Sequence, residues 1–114
     1  KVLDLIRERR RSNHPLSESV ISQRLFLPVL LEATRILQEL LVDSPSAIDY
    51  AMRQGLGMCR PNSGIFSWAN CIGKRTLLDW LKPLQSLGQR FEPTQLLLDA
   101  AKCNKEFREA AGAA

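Results

Sequence analysis

The chain has 114 residues, of which 45% are apolar and 25% are charged, and its formal net charge is +4. These values suit one folded domain with a single apolar core, and they exclude an intrinsically disordered chain. They also exclude a membrane-spanning helix, because Glu32, Arg35 and other polar residues interrupt the most apolar segment.

The start of the chain is basic. Residues 1–11 hold five basic and two acidic residues, which accounts for most of the net charge. Proteins that bind nucleic acids usually distribute basic residues along a whole face, so we interpret this patch as a solvated helix end beside a linker and expect no nucleic-acid partner. Lys1 is the first residue and no secretory signal follows it, so we expect a piece of a larger cytoplasmic protein.

The first half of the chain predicts a short helix and a long one. Residues 1–11 form the short helix, 12–16 form a break around Pro15, and Ser17 is a good N-cap for the long helix. We expect this helix to bend near Pro28 without ending. Its expected core face has a helical period and comprises Val20, Ile21, Leu25, Val29, Leu30, Ala33, Ile36, Leu37, Leu40 and Leu41.

Four further helices are predicted. Ser44 and Pro45 begin the third helix, which we expect to end at a left-handed Gly55. A loop over 58–64, a brief helix ended by Gly73 and a helix over 76–87 follow, and the last helix covers 94–102. No alternating strand pattern occurs, so the expected fold is all-α, with one long central helix. The expected organisation is a basic helix and linker over 1–16, the helical domain over 17–103, and a fraying tail over 104–114.

The sequence lacks a self-contained catalytic motif. Gly55 and Gly57 resemble part of a dinucleotide-binding loop, but Arg60 takes the place of the third glycine and no strand precedes it. His14 is the only histidine, and Ser22, Ser63 and Ser67 have no base nearby in the sequence. We therefore expect no catalytic residues, no metal and no cofactor bound by this chain alone.

Several other residues are interpreted as structural in preference to functional. Cys59, Cys71 and Cys103 lack metal-ligand spacing and are predicted to pack inside the domain as reduced thiols. Glu32 requires a basic partner if it is buried, and Arg35 or Arg24 would supply one. The aromatic residues Phe66, Trp68 and Trp80 are expected to be core residues or interface anchors.

Three segments together resemble a known family. Residues 23–33 read QRLFLPVLLEA, 44–52 read SPSAIDYAM, and 63–73 read SGIFSWANCIG. In this order they resemble the C-terminal domain of 3-hydroxyacyl-CoA dehydrogenases. The region over 77–98 looks like the last such domain of multifunctional fatty-acid oxidation proteins, the α-subunit type.

The resemblance implies a fold and a role. The implied fold is the 6-phosphogluconate dehydrogenase C-terminal-like type, in a parent enzyme that uses NAD. An additional enoyl-CoA hydratase activity of the parent is left open. The resemblance places Gln23 at the family's active-site Asn. The loop GMCRPNSG over 57–64 differs from the sequence motif that the family has at this point. The resemblance therefore implies a non-catalytic support domain whose partners are other domains of the parent.

Binding roles follow from the same resemblance. The domain would help to form the acyl-CoA cleft, with Arg24 as the candidate substrate-binding residue. Lys74 and Arg75 are interpreted either as solvated surface charges or as further phosphate contacts. An alternative interpretation is a protein-interaction or dimerisation module, which would form a homodimer through Phe66, Trp68 and Trp80.

Overall fold

Six α-helices and two 3-10 turns account for most of residues 1–10, 15–58, 64–104 and 107, which are the residues that this computed structural model describes. The helices are α1 (Val2–Arg9), α2 (Glu18–Gln38), α3 (Pro45–Leu56), α4 (Ile65–Ile72), α5 (Lys74–Leu84) and α6 (Gln95–Cys103). The 3-10 turns, Gln85–Leu87 and Gln89–Phe91, connect α5 to α6. Because no strand occurs among the described residues, the all-α prediction is confirmed.

The long helix α2 is the centre of the fold. Its N-cap is Ser17, whose hydroxyl accepts a hydrogen bond from the backbone N–H of Val20 at 3.3 Å, as predicted. The helix continues through Pro28, and it packs against α4, α5, α6 and the second 3-10 turn. The predicted bend at Pro28 stays a prediction.

The prediction of which face of α2 is buried was wrong for half of its residues. Ile21, Leu25, Val29, Leu40 and Leu41 are exposed. The buried residues of α2 are instead Leu27, Leu30, Leu31, Ala33, Thr34 and Leu37. The helical period was correct, but apolar residues occur on both sides of α2, and the period does not reveal which side faces the core.

The core is one continuous cluster. It joins the inner face of α2 to buried residues of all the later helices. The predicted stripe on α5 is confirmed, because Leu77, Leu81 and Leu84 are all buried. The other large fully buried residues outside α2 are Ile65, Phe91, Leu97 and Phe107.

Helix α3 begins as predicted and ends two residues later than predicted. The Ser44 hydroxyl accepts from the Ala47 N–H at 3.3 Å, and Pro45 lies in the first turn. The residue in the left-handed conformation at the end is Gly57, with φ 63° and ψ 31°, whereas Gly55 lies inside the helix. Both glycines meet the requirement for a cap, and the sequence does not distinguish them.

The helix predicted over 76–87 is divided in the structure. Helix α5 begins earlier than predicted, at Lys74, and ends at Leu84. The first 3-10 turn follows it directly. Pro83 lies in the last turn of α5 and has no N–H to donate to the preceding turn. Gly88 follows at φ 134° and redirects the chain.

Two buried threonines join α2 to the start of α6. The hydroxyls of Thr34 and Thr94 are 2.7 Å apart, and the Thr34 hydroxyl donates to the backbone oxygen of Leu31 at 2.8 Å. Thr94 is also the N-cap of α6, since its hydroxyl accepts from the Leu97 N–H. Gln38 adds a further bond by accepting from the Leu96 N–H at 3.2 Å. Most of these polar groups are satisfied within the fold, which fixes the orientation of α6 against α2.

One residue of the expected tail is part of the core. Phe107 is 1% exposed, and its ring centroid lies 5.1 Å from that of Phe66. The Lys74 ammonium lies 5.2 Å from the centroid of the same ring. The expected fraying over 108–114 falls outside the described residues.

The end of α2 carries a leucine where the backbone favours glycine. Leu40 has φ 57°, its N–H bonds to the oxygen of Leu37, and the N–H of Leu41 bonds to the oxygen of Ile36. This bond pattern is the Schellman motif, in which a left-handed residue usually is glycine. A left-handed conformation costs a residue with a side chain roughly 1 kcal/mol.

Replacing Leu40 by glycine is therefore expected to raise the free energy of unfolding of this chain by about 1 kcal/mol. The side chain of Leu40 is 73% exposed, so little packing is lost. Urea unfolding followed by circular dichroism at 222 nm measures the change. Leu41→Gly is the matched control, because Leu41 is equally exposed at 69% but has no positive φ, and it should not stabilise the chain. A destabilised Leu40→Gly variant would contradict this account.

Candidate functional site

Among the described residues, Asp49 is a buried acid whose two carboxylate oxygens are both hydrogen-bonded. It lies on α3, is 8% exposed, and both of its carboxylate oxygens point to the beginning of α4. Oδ1 accepts from the Phe66 N–H at 2.9 Å, and Oδ2 accepts from the Ser67 N–H at 3.0 Å and the Ser67 hydroxyl at 2.8 Å. Asp49 thus serves as the N-cap for a helix that begins sixteen residues later, and a negative charge is favourable at that end of a helix.

Gly64 makes this capping geometry possible. It precedes α4 with φ 155°. A Cβ atom placed on it would lie 2.2 Å from Cγ of Asp49 and 2.5 Å from its Cβ and Oδ1. Only glycine allows the backbone to approach the carboxylate this closely.

A small polar pocket opens beside the cap. Its volume is about 180 Å³. It is lined by Pro45, Ser46, Asp49, Phe66, Ser67, Asn70 and Phe107. The Asp49 carboxylate already accepts three hydrogen bonds within the protein, so its arrangement is that of a structural cap and not of a general base.

Gln23, predicted from the resemblance to stand at the family's active-site Asn, lies on the first half of α2. Gln23 is half-buried, and its Nε2 donates to the hydroxyl of Ser19 at 3.2 Å. Its neighbour Arg24 is exposed. Both side chains therefore lie at the surface of α2.

The three predicted phosphate contacts lie on two different helices. Arg24 is on α2, whereas Lys74 and Arg75 begin α5. The ammonium of Lys74 packs over the ring of Phe107, which gives this residue a structural role. Arg24 and Arg75 are exposed.

The predicted aromatic group is partly confirmed and partly corrected. Trp68 is half-buried and packs between Phe26, with ring centroids 5.4 Å apart, and Trp80, at 6.4 Å. This cluster joins α2, α4 and α5 at the edge of the core. Phe66 is only 2% exposed, so it is a core residue and is excluded as an exposed interface anchor.

Other predictions have mixed outcomes. Glu32 pairs with Arg35, as predicted, but the pair is exposed. Cys71 and Cys103 are exposed, so the prediction that they pack inside the domain was wrong for both, while Cys59 lies outside the described residues. His14 and Ser63 also lie outside them, and Ser67 bonds to Asp49.

A group of metal ligands and a membrane-spanning helix are both absent from the described residues. Within the described ranges, no three His, Cys, Asp or Glu residues come close enough to hold a metal ion. Among the helices over the same ranges, none is both long enough and apolar enough to cross a lipid bilayer.

Sequence reasoning did not identify the roles of Asp49 and Gly64. In the sequence, Asp49 is distinguished only by its place in the segment 44–52 that resembles the family, and no local pattern indicates a cap whose acceptor and donors are 17 and 18 residues apart. The available signal in the sequence was an acid at a position where the helical period of α3 places apolar residues, beside Pro45, Ile48 and Met52. Asp49 follows Ile48, which is itself buried.

The fold and the cap define a helical domain in which a side chain on one helix orients the next. A comparison with protein families assigns it further. The family model described as 3-hydroxyacyl-CoA dehydrogenase, C-terminal domain, matches residues 20–113. The chain therefore belongs to the 3-hydroxyacyl-CoA dehydrogenase C-terminal domain family. No solved structure matches it.

Proposed function

We propose that this chain is a non-catalytic support domain of an NAD-dependent 3-hydroxyacyl-CoA dehydrogenase, of the multifunctional fatty-acid oxidation type. It packs against other domains of its parent and helps to form the acyl-CoA cleft. The family match over residues 20–113 is the observation that carries the proposal. Gln23 at the position of the family's Asn supports a role without chemistry.

The exposed surface supports packing against other domains. Leu40, Leu41 and Leu56 are each about 70% exposed. Leu40 and Leu41 are adjacent in the chain, so this point of the surface offers two large apolar side chains for contact with another domain. The left-handed Leu40 is informative, because its backbone cost would be offset if its side chain were buried against a neighbouring domain.

The proposed contribution to the cleft rests on the first half of α2. Gln23 and Arg24 lie side by side there, and Arg24 is exposed. A guanidinium binds phosphate oxygens through two parallel hydrogen bonds, and coenzyme A carries several phosphates. The alternative function, a protein-interaction or dimerisation module, is favoured by the half-buried Trp68 and Trp80, since tryptophan commonly anchors interfaces.

The first test is thermal unfolding of the chain with acetyl-CoA and, separately, with NADH. We expect acetyl-CoA to raise the melting temperature, because at ten times the dissociation constant a ligand selective for the folded state adds about 1.4 kcal/mol. NADH should leave the melting temperature unchanged. Arg24→Ala should abolish the rise, whereas Arg53→Ala, on α3, should preserve it.

Two results would contradict the proposal in different ways. The absence of a shift with millimolar acetyl-CoA would remove the contribution to the cleft and leave only the packing role. Oxidation of NADH by this chain in the presence of acetoacetyl-CoA would overturn the assignment as non-catalytic.

A further inference from the structure

No further inference is drawn: the strongest candidate, the polar pocket of about 180 Å³ between α3 and α4 beside Asp49, belongs to the site already described, and the carboxylate that lines it is already bonded to the N–H groups of Phe66 and Ser67 and to the Ser67 hydroxyl.

Discussion

Replacing Gly64 by alanine is expected to lower the free energy of unfolding by about 3 to 4 kcal/mol. Two independent causes act together: φ of 155° is strained for a residue with a side chain, and the added Cβ would lie 2.2 Å from Cγ of Asp49. Asp49 is buried and bonded at both oxygens, so it is not able to move aside without losing those bonds. Urea unfolding followed by circular dichroism measures the change.

The control for this variant is another glycine. Gly55 lies inside α3, and a Cβ placed on it would meet nothing within 4 Å. Gly55→Ala should therefore stabilise the chain by about 0.5 to 1 kcal/mol through helix propensity. If Gly64→Ala were as well tolerated as Gly55→Ala, the close approach of Gly64 to Asp49 would not exist in solution.

Replacing Asp49 by alanine is expected to lower the free energy of unfolding by about 3 kcal/mol. The substitution leaves the N–H groups of Phe66 and Ser67 without their acceptor, and an unsatisfied buried donor costs about 1 to 3 kcal/mol. It also removes a negative charge from the N-terminal end of α4. The measurement is again the urea midpoint, with the change in near-ultraviolet signal of Trp68 as a local readout.

Two further variants test the cause of this loss. Asp49→Asn keeps one oxygen acceptor and should lose about half as much stability, whereas Asp43→Ala, at an exposed acid before α3, should change the stability by less than about 0.5 kcal/mol. Since Gly64 and Asp49 are in contact, their effects should be non-additive: Gly64→Ala should cost at least about 1 kcal/mol less when Asp49 is already glycine, because that change removes the Cγ, Oδ1 and Cβ atoms that the added Cβ would meet. Additive effects would mean that strain at Gly64 alone accounts for its cost.

Much of the fold could be predicted from local chemistry. Ser17 and Ser44 occupy the capping positions that their sequence context indicated. Leu77, Leu81 and Leu84 face the core because α5 has only one apolar stripe. These predictions succeeded because each depends on residues within two helical turns.

The predictions that were wrong concern residues whose environment depends on contacts far away in the sequence. Which side of α2 is buried depends on how α4, α5 and α6 pack against it, and two apolar stripes on one helix leave that question open. The role of Asp49 depends on backbone groups 17 and 18 residues away. The burial of Phe107 depends on its contact with Phe66, which is 41 positions earlier in the chain. Long-range contacts of this kind have no local signature in one sequence.

The capping of α4 by Asp49 also bears on protein engineering. The bonds from Asp49 to Phe66 and Ser67 fix the angle between α3 and α4 from outside the connecting segment. Lengthening a connection costs little when its ends are held independently, because the closure entropy grows only slowly with length. An insertion between Leu56 and Gly64 is therefore expected to leave the contact of α3 with α4 intact, provided that Gly64 is kept.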